Sequence, residues 1–593
     1  MSIPERISQL RKQMEQEGID VWIEPTADTH QSEYLAPRFQ TRHWLAGFSG
    51  SAGVVVVTAE AACLWADSRY WLQAAAQLEG SGIEPMRLGA PDVPAWAEWI
   101  ASNHPGEIVV GFNGAVMACK QFWNLQNKLA NASFCTDLDL IERIWSDRPP
   151  MPLEPLKLYD EKLAGESRVS KIKRLQATMH EKDYDVCLVT ALDDVAWLFN
   201  VRGSDVQYNP LVYAWGAVTS EEAWLFVDAA KLDDEAADAL CNDGVRCADY
   251  GQVYGYINSI SDNARVQLDP TKTGVLMRDS LPDNCEAVYD SSPVAALKTI
   301  KNSAEADGIR RAHVRDGVAL VRFLHWMTQN AGRIPLDEHT AAEKLTAFRA
   351  LGAHYMGRSF HPIMAYKANG AQCHYAAGKQ SASSIVDEGI LLIDTGAQYL
   401  DGTTDVTRTI TLGQPTAEQR RHFTLVLQAH IDLAMTPFPA GTCGRQLDVI
   451  ARAPLWRESL NFGHGTGHGV GFYLNVHEGP QAIASGHYPT TGIPFEPGML
   501  TSNEPGLYFE GDYGIRIESL VLCIEHEVNE RGVFYAFETV TLCLIDRRLI
   551  DADMLSPAQR AWLNAYHQRV CDTLSPHLDE PDSDWLAVQT EPL

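Results

Sequence analysis

Apolar and polar residues recur at helix and strand spacing from the start of the chain. Ile3 to about Glu17 places apolar side chains at helical intervals among charges, which predicts a leading helix. Asp20-Val21-Trp22-Ile23 then reads as a strand, followed by strands at Val54-Val55-Val56-Val57-Thr58 and Ala62-Cys63-Leu64-Trp65. Arg69 to Gln77 returns to helical spacing, so the first 145 or so residues read as an α/β unit. The stretch Ser146 to Pro155 has four prolines in ten residues; it loses amide donors, stiffens, and reads as an interdomain linker.

Beyond the linker the pattern repeats. A helix from Arg168 to about Lys182 leads into Tyr184-Asp185-Val186-Cys187-Leu188-Val189-Thr190, which echoes the strand around Asp20 to Ile23. Trp44 to Ser51 is echoed by Trp197 to Asp205, and Ala62 to Asp67 by Ala223 to Asp228. Two related α/β domains in tandem are therefore expected, the second ending near Ser291-Ser292-Pro293. A long helix opens at Lys301 to Glu305, with Ser303 and Glu305 as a weak N-terminal signal, and runs to Trp326. Helices then alternate with glycine-bounded strands to about Asp546, and a polar helical tail runs from Ser556 to about Ser575. The expected boundaries are 1–147, 156–300 and 301–593.

Composition narrows the function. At 593 residues, with 45% hydrophobic and 21% charged residues, the chain is an ordinary globular one, too long for one core. A net charge of −29 argues against nucleic acid as a partner. No apolar stretch is long enough to span a membrane, and the charged N-terminus lacks the apolar core of a secretory signal. The twelve cysteines include no C-x-x-C pair, which fits reduced thiols in the cytoplasm better than disulfides or a zinc knuckle.

The chemistry concentrates in the last half. Gly463-His464-Gly465-Thr466-Gly467-His468-Gly469, with His477 nine residues after His468, sets three histidines among glycines within fourteen residues. No phosphate-binding glycine motif is present, so close approach of backbone to a metal or substrate is the better explanation. Upstream, an apolar strand ends on Asp394, and a β-rich strand is expected to contain Asp405, with a hairpin signal at Asp401-Gly402 between them. Two buried aspartates side by side are costly unless a cation neutralises them. Downstream, a strand ends on Glu504 before Pro505-Gly506. Arg516 and Glu518, two apart in an apolar strand, are expected to face one side. Four carboxylates and one imidazole carry more negative charge than one divalent ion warrants. Two hard ions such as Mn²⁺ fit better than a structural zinc.

Asp394, Asp405, His468, Glu504 and Glu518 match in identity, order and flanking motif the ligand set of the pita-bread metallopeptidases, family M24. Within that group the chain resembles the three-domain cytosolic aminopeptidase P type along essentially its whole length, including Asp28 to Tyr34, Ser49 to Gly53 and Asn200 to Asp205. The resemblance implies two creatinase N-terminal-like α/β domains ahead of a pita-bread α+β catalytic domain, and a homodimer. It implies an Xaa-Pro aminopeptidase in which a hydroxide shared by two metals attacks the bond ahead of a second-position proline. Asp394, Asp405, His468, Glu504 and Glu518 would hold the metals, with Glu504 also the general base. His374, His464 and His477 would orient the peptide and stabilise the oxyanion. Arg516 is expected to fix a ligand carboxylate, Asp394.

A prolidase-like dipeptidase shares the five ligands, but the second α/β domain and the length favour the aminopeptidase. A methionine aminopeptidase would need only about the last 290 residues of such a chain. A metal-free binding module or a creatinase-like enzyme would have replaced the ligands. Gly47-Phe48-Ser49-Gly50-Ser51 lacks the spacing of a nucleophile elbow, which excludes that serine hydrolase reading.

Overall fold

The computed structural model describes residues 1–486 and 489–593. The chain divides into two compact units: Met1–Glu161 with Glu166–Leu297, and Lys162–Gly165 with Lys298–Leu593.

The first unit contains two six-stranded sheets of one design. In the first, the order is Glu84–Arg87, Ala62–Ala66, Val54–Thr58, Val21–Pro25, Ile108–Gly111, Ala132–Cys135. In the second it is Val245–Ala248, Ala223–Val227, Ala214–Thr219, Val186–Val189, Arg265–Leu268, Glu286–Tyr289. Parallel and antiparallel pairings agree strand for strand. The sequence echoes thus mark a structural duplication. Each sheet is preceded by a helix, Ile3–Glu17 or Arg168–Lys182. The first starts at Ser2 with a reciprocal Ser2–Glu5 cap and stops at Gly18, whose φ of 67° is cheap only for glycine. The proline-rich stretch has no regular structure but is tethered: Arg148 Nε donates to Arg38 O at 3.0 Å, and Arg38 Nη1 to Pro149 O at 3.1 Å.

The second unit begins on the helix Ser303–Asn330. Its cap is Asn302, one residue before the expected Ser303. The Asn302 side chain accepts from the Glu305 amide, and Glu305 reaches back to the Asn302 amide. Ile363–Tyr366, Ile390–Thr395 and Val406–Thr411 form an antiparallel three-stranded sheet. A larger sheet runs Phe438–Pro439, Gly532–Thr539, Ser519–Asn529, Leu500–Asn503, Gly467–Gly469, Glu478–Ile483. Helices Ala417–Met435 and Gly444–Trp456 pack together in this unit.

The polar tail needs correction. Helix Pro557–Leu574 buries Leu563, Tyr566, Val570 and Leu574 in the same core as Phe323, Ile393 and Ile515. Polar and apolar residues are nearly equal in number in that segment, and the buried apolar ones share one face. Arg408, buried on Val406–Thr411, explains the tie to the C-terminal segment. It donates to the carbonyls of Cys543 (2.8 Å) and Glu518 (2.5 Å) and to the Tyr566 hydroxyl (2.9 Å).

Candidate metal centre

Separate strands and loops of the second unit deliver the five predicted ligands to one place. Asp394 is the penultimate residue of Ile390–Thr395, opposite Thr407 on one neighbour and Ile363 on the other. Asp405 precedes Val406–Thr411 rather than lying inside it. Before that strand the chain leaves the ladder to form a hairpin, Ala397–Tyr399 against Gly402–Thr403, turning at Leu400-Asp401. The Thr404 carbonyl there accepts from Ser359 Oγ. The strand is also interrupted between Arg516 and Glu518: Tyr513–Arg516 ends and Ser519–Asn529 starts after two residues outside both ladders, whose amides donate to Pro505 O and Thr407 O. Both side chains still face the same side. Thr407 Oγ1 donates to Glu518 Oε2 at 2.7 Å and lies 3.1 Å from Arg516 Nε.

His468 is the centre of a three-residue strand squeezed between two others. A Cβ on Gly467 would lie 1.9 Å from the Ser502 carbonyl, so the glycine run serves close strand approach. His468 Nδ1 is 2.9 Å from Gly469 O, so the neutral ring would carry its proton on Nδ1 and offer the Nε2 lone pair. Nε2 points at Asp405 Oδ2 and Glu504 Oε1, each 3.5 Å away. Among the described residues, Asp405, His468 and Glu518 offer ligand atoms all within 4.8 Å of one another.

The electrostatics are those of an anion cluster. Burial pushes Asp394 up to about 6 against the pull of Arg516, with Asp405 adding to the rise. Glu518 is raised well above its ordinary value by burial and then by Asp405 and Glu504. Burial opposes charge on His468, but Asp405 and Glu504 prevail and hold it at about 9.

Arg516 Nη2 pairs with Asp394 Oδ2, as the sequence led us to expect. Asp394 Oδ1 is buried with no hydrogen-bond partner. Arg516 Nη1 also donates to the Tyr508 hydroxyl at 2.7 Å, and that hydroxyl is 2.7 Å from His464 Nε2. His464 Nδ1 is 2.7 Å from Gly465 O, so both its ring nitrogens are taken within the protein. A peptide contact through either nitrogen would have to displace one of these partners. His477 meets His468 edge to face, with centroids 4.4 Å apart. His374 follows Cys373, whose carbonyl lies 3.5 Å from Arg516 Nη2.

Several supporting residues escaped the sequence reading. Arg452 is stacked on Phe462, with its guanidinium carbon 3.9 Å from the ring centroid, and donates to the carbonyls of Phe462 and His464, each at 2.8 Å. Its buried partner Asp448, at 2.7 Å, accepts from Thr466 Oγ1 at 2.6 Å. Together they hold the first half of the glycine–histidine run, from Phe462 to Thr466. Beside His477, buried Glu478 is paired to Lys301 at 2.6 Å and Lys298 at 3.4 Å. The Asp448–Arg452 spacing of four on a helix was a readable signal, but it is equally that of a solvated surface pair.

Comparison with known proteins agrees with this geometry. Residues 307–525 match the model of metallopeptidase family M24, and residues 533–593 its C-terminal region. Residues 6–144 and 147–305 each match a creatinase/prolidase N-terminal domain. A probable Xaa-Pro aminopeptidase P of Coprinopsis cinerea is 39% identical, the match covering 99% of this chain and 98% of that protein. Its counterpart from Pyricularia oryzae is 37% identical over 100% and 99%. The crystal structure of an X-prolyl aminopeptidase from Caenorhabditis elegans, described as a cytosolic enzyme with a di-nuclear active site, is 34% identical. It superposes over 100% of both chains with a TM-score of 0.95.

Proposed function

This chain belongs to metallopeptidase family M24, and from that premise we propose that it releases the N-terminal residue of peptides with proline in second position. The observation that carries the reading is the convergence of Asp394, Asp405, His468, Glu504 and Glu518 within one unit.

The residues suit a pair of divalent ions. Among the described residues Asp394 Oδ1 is a buried oxygen without a hydrogen-bond partner, His468 Nε2 faces two carboxylates, and nearby basic charge is too scarce to neutralise four acids. We assign all five side chains as the metal-holding set, and its oxygen-rich character favours Mn²⁺. When bound, such ions make water acidic enough to attack at neutral pH and polarise the scissile carbonyl.

The chain's own groups do the rest. Glu504 Oε1, 3.2 Å from Ser502 Oγ, belongs to the most exposed of the four carboxylates, at 18% of its side chain. That suits it to take a proton from water and return it to the leaving proline nitrogen. His374, His464 and His477 are assigned to the peptide and the developing oxyanion, with Tyr508 linking His464 to Arg516. A proline amide has no N–H, so recognition of the ring rests on shape.

We also assign a homodimer and a cytoplasmic location. The latter is supported by the Caenorhabditis elegans enzyme being described as cytosolic and by the absence, among the described residues, of a helix long and apolar enough to cross a membrane. Chelated protein assayed on Xaa-Pro-Xaa tripeptides and Xaa-Pro dipeptides, with Mn²⁺, Co²⁺ or Zn²⁺ restored, tests the reading. Faster cleavage of the tripeptide supports it; preference for the dipeptide would make the enzyme a prolidase instead.

A further inference from the structure

Glu338 is completely buried at the first turn of helix Glu338–Arg349, yet among the described residues it pairs with no Lys or Arg. A buried carboxylate without a counter-charge is expensive unless hydrogen bonds replace its water. Here four neutral donors do so. The Tyr366 amide (2.8 Å) and Asn369 Nδ2 (2.9 Å) reach Oε1; the Tyr375 hydroxyl and the Ser383 amide, both at 2.8 Å, reach Oε2. They fill all the acceptor positions a carboxylate offers, and the helix N-terminus adds a favourable dipole.

All four donors belong to one segment, 366–383, which leaves Ile363–Tyr366 and returns at Ser383. There the Glu338 amide donates back to Ser383 O at 3.2 Å. His374 lies in this segment, next to Tyr375. Away from Glu338, residues 378–382 bond locally, Ser381 and Ala382 donating to the Gly378 carbonyl. On its other side the segment rests at Gly370 against Gly514, so closely that a Cβ on Gly514 would lie 1.7 Å from Gly370 O.

We propose that Glu338 is a positioning residue of the peptidase reaction: its carboxylate closes the 366–383 loop on itself and thereby fixes His374 where it meets the peptide. The inference rests on the proposed aminopeptidase activity and on the role given to His374. Glu338 touches no substrate, and its effect passes through the loop.

The test is a double-mutant cycle between Glu338→Gln and His374→Ala, assayed with Mn²⁺-loaded protein on an Xaa-Pro-Xaa peptide. The glutamine keeps the volume but turns an N–H₂ group toward donors. It is expected to lower kcat about tenfold or more in the otherwise native protein, with little change in KM, since misplacement by about 1 Å costs on that order. In the His374→Ala background it should lower kcat less than about twofold. Hydrogen exchange in residues 372–383 should accelerate in Glu338→Gln with metal content unchanged. Equal losses in both backgrounds, or unchanged exchange, would overturn the proposal. Should Glu338→Gln fail to fold, Tyr375→Phe, which removes one donor only, carries the same cycle with a loss of a few-fold. An inactive native protein would instead overturn the aminopeptidase reading, and a fully active His374→Ala would overturn the role of His374.

Discussion

Arg516 holds Asp394 by one carboxylate oxygen and leaves the other, Oδ1, buried and without a hydrogen-bond partner. A carboxylate so divided has one oxygen committed to orientation and one open to the cation we assign to it. Because the same guanidinium holds Tyr508, it links the acid cluster to the glycine–histidine run.

Replacing Arg516 by Ala should weaken metal binding about 10–100-fold, in line with other partners that orient metal ligands. Lysine keeps the charge but cannot reach Asp394 and Tyr508 together, so Arg516→Lys should recover little of the loss. Titration of chelated protein with Mn²⁺ reads both, and unaltered affinity in the alanine variant would refute the role.

The acid cluster should make metal stabilisation depend on pH. Burial lifts Asp394 from 3.8 to about 6, and burial with Asp405 lifts Glu518, so in chelated protein the native state holds protons that the unfolded chain has released. Stability therefore falls as pH rises through that window. His468, held at about 9 against an ordinary 6.5 because Asp405 and Glu504 outweigh burial, adds stability present below 6.5 and lost toward 9. All three effects have one sign. The rise in Tm on adding Mn²⁺ should thus grow steadily between pH 5 and 8, and a rise independent of pH would contradict the assignment.

Arg452→Met leaves the Asp448 carboxylate buried and unpaired, and should destabilise by about 3–5 kcal/mol. Adding Asp448→Leu should restore part of that stability. Activity should stay low in the double variant, because the Phe462 and His464 carbonyls still lack their donor. Urea denaturation with parallel assays separates the two effects. Recovery of activity along with stability would show that the pair serves folding alone.

Gly514→Ala sets a methyl group against the Gly370 carbonyl and should displace the loop that carries His374. Loss of kcat by about tenfold with near-native metal content is the expected result, and loss of metal in proportion to activity would be the contrary one.

What the sequence disclosed and what it concealed divide along a physical line. Asp394, Asp405, His468, Glu504 and Glu518 were legible because turn glycines, prolines and apolar strand residues bracket them. The duplicated sheets were legible because strand period and flanking motifs recur. Asp405 was misplaced into a strand because hydrophobic alternation does not reveal where a ladder stops pairing. The break after Arg516 was missed for the same reason. Glu338, Lys301 and Glu478 carry no sequence signal and the Asp448–Arg452 spacing only an ambiguous one: a charged residue reads as solvated, and only tertiary packing buries it. The helix Pro557–Leu574 was underrated because four buried side chains on one face are diluted by the polar ones around them.

Arg408 gives that last helix a larger part than its position at the end of the chain suggests. By grasping Tyr566, the Cys543 carbonyl and the Glu518 carbonyl at once, it makes the C-terminal segment a keystone for the strands beneath the acids. A protein clipped before this helix would keep every one of the five acidic and imidazole groups in its sequence, yet lose the Tyr566 hydroxyl that steadies Arg408 against the Glu518 and Cys543 carbonyls.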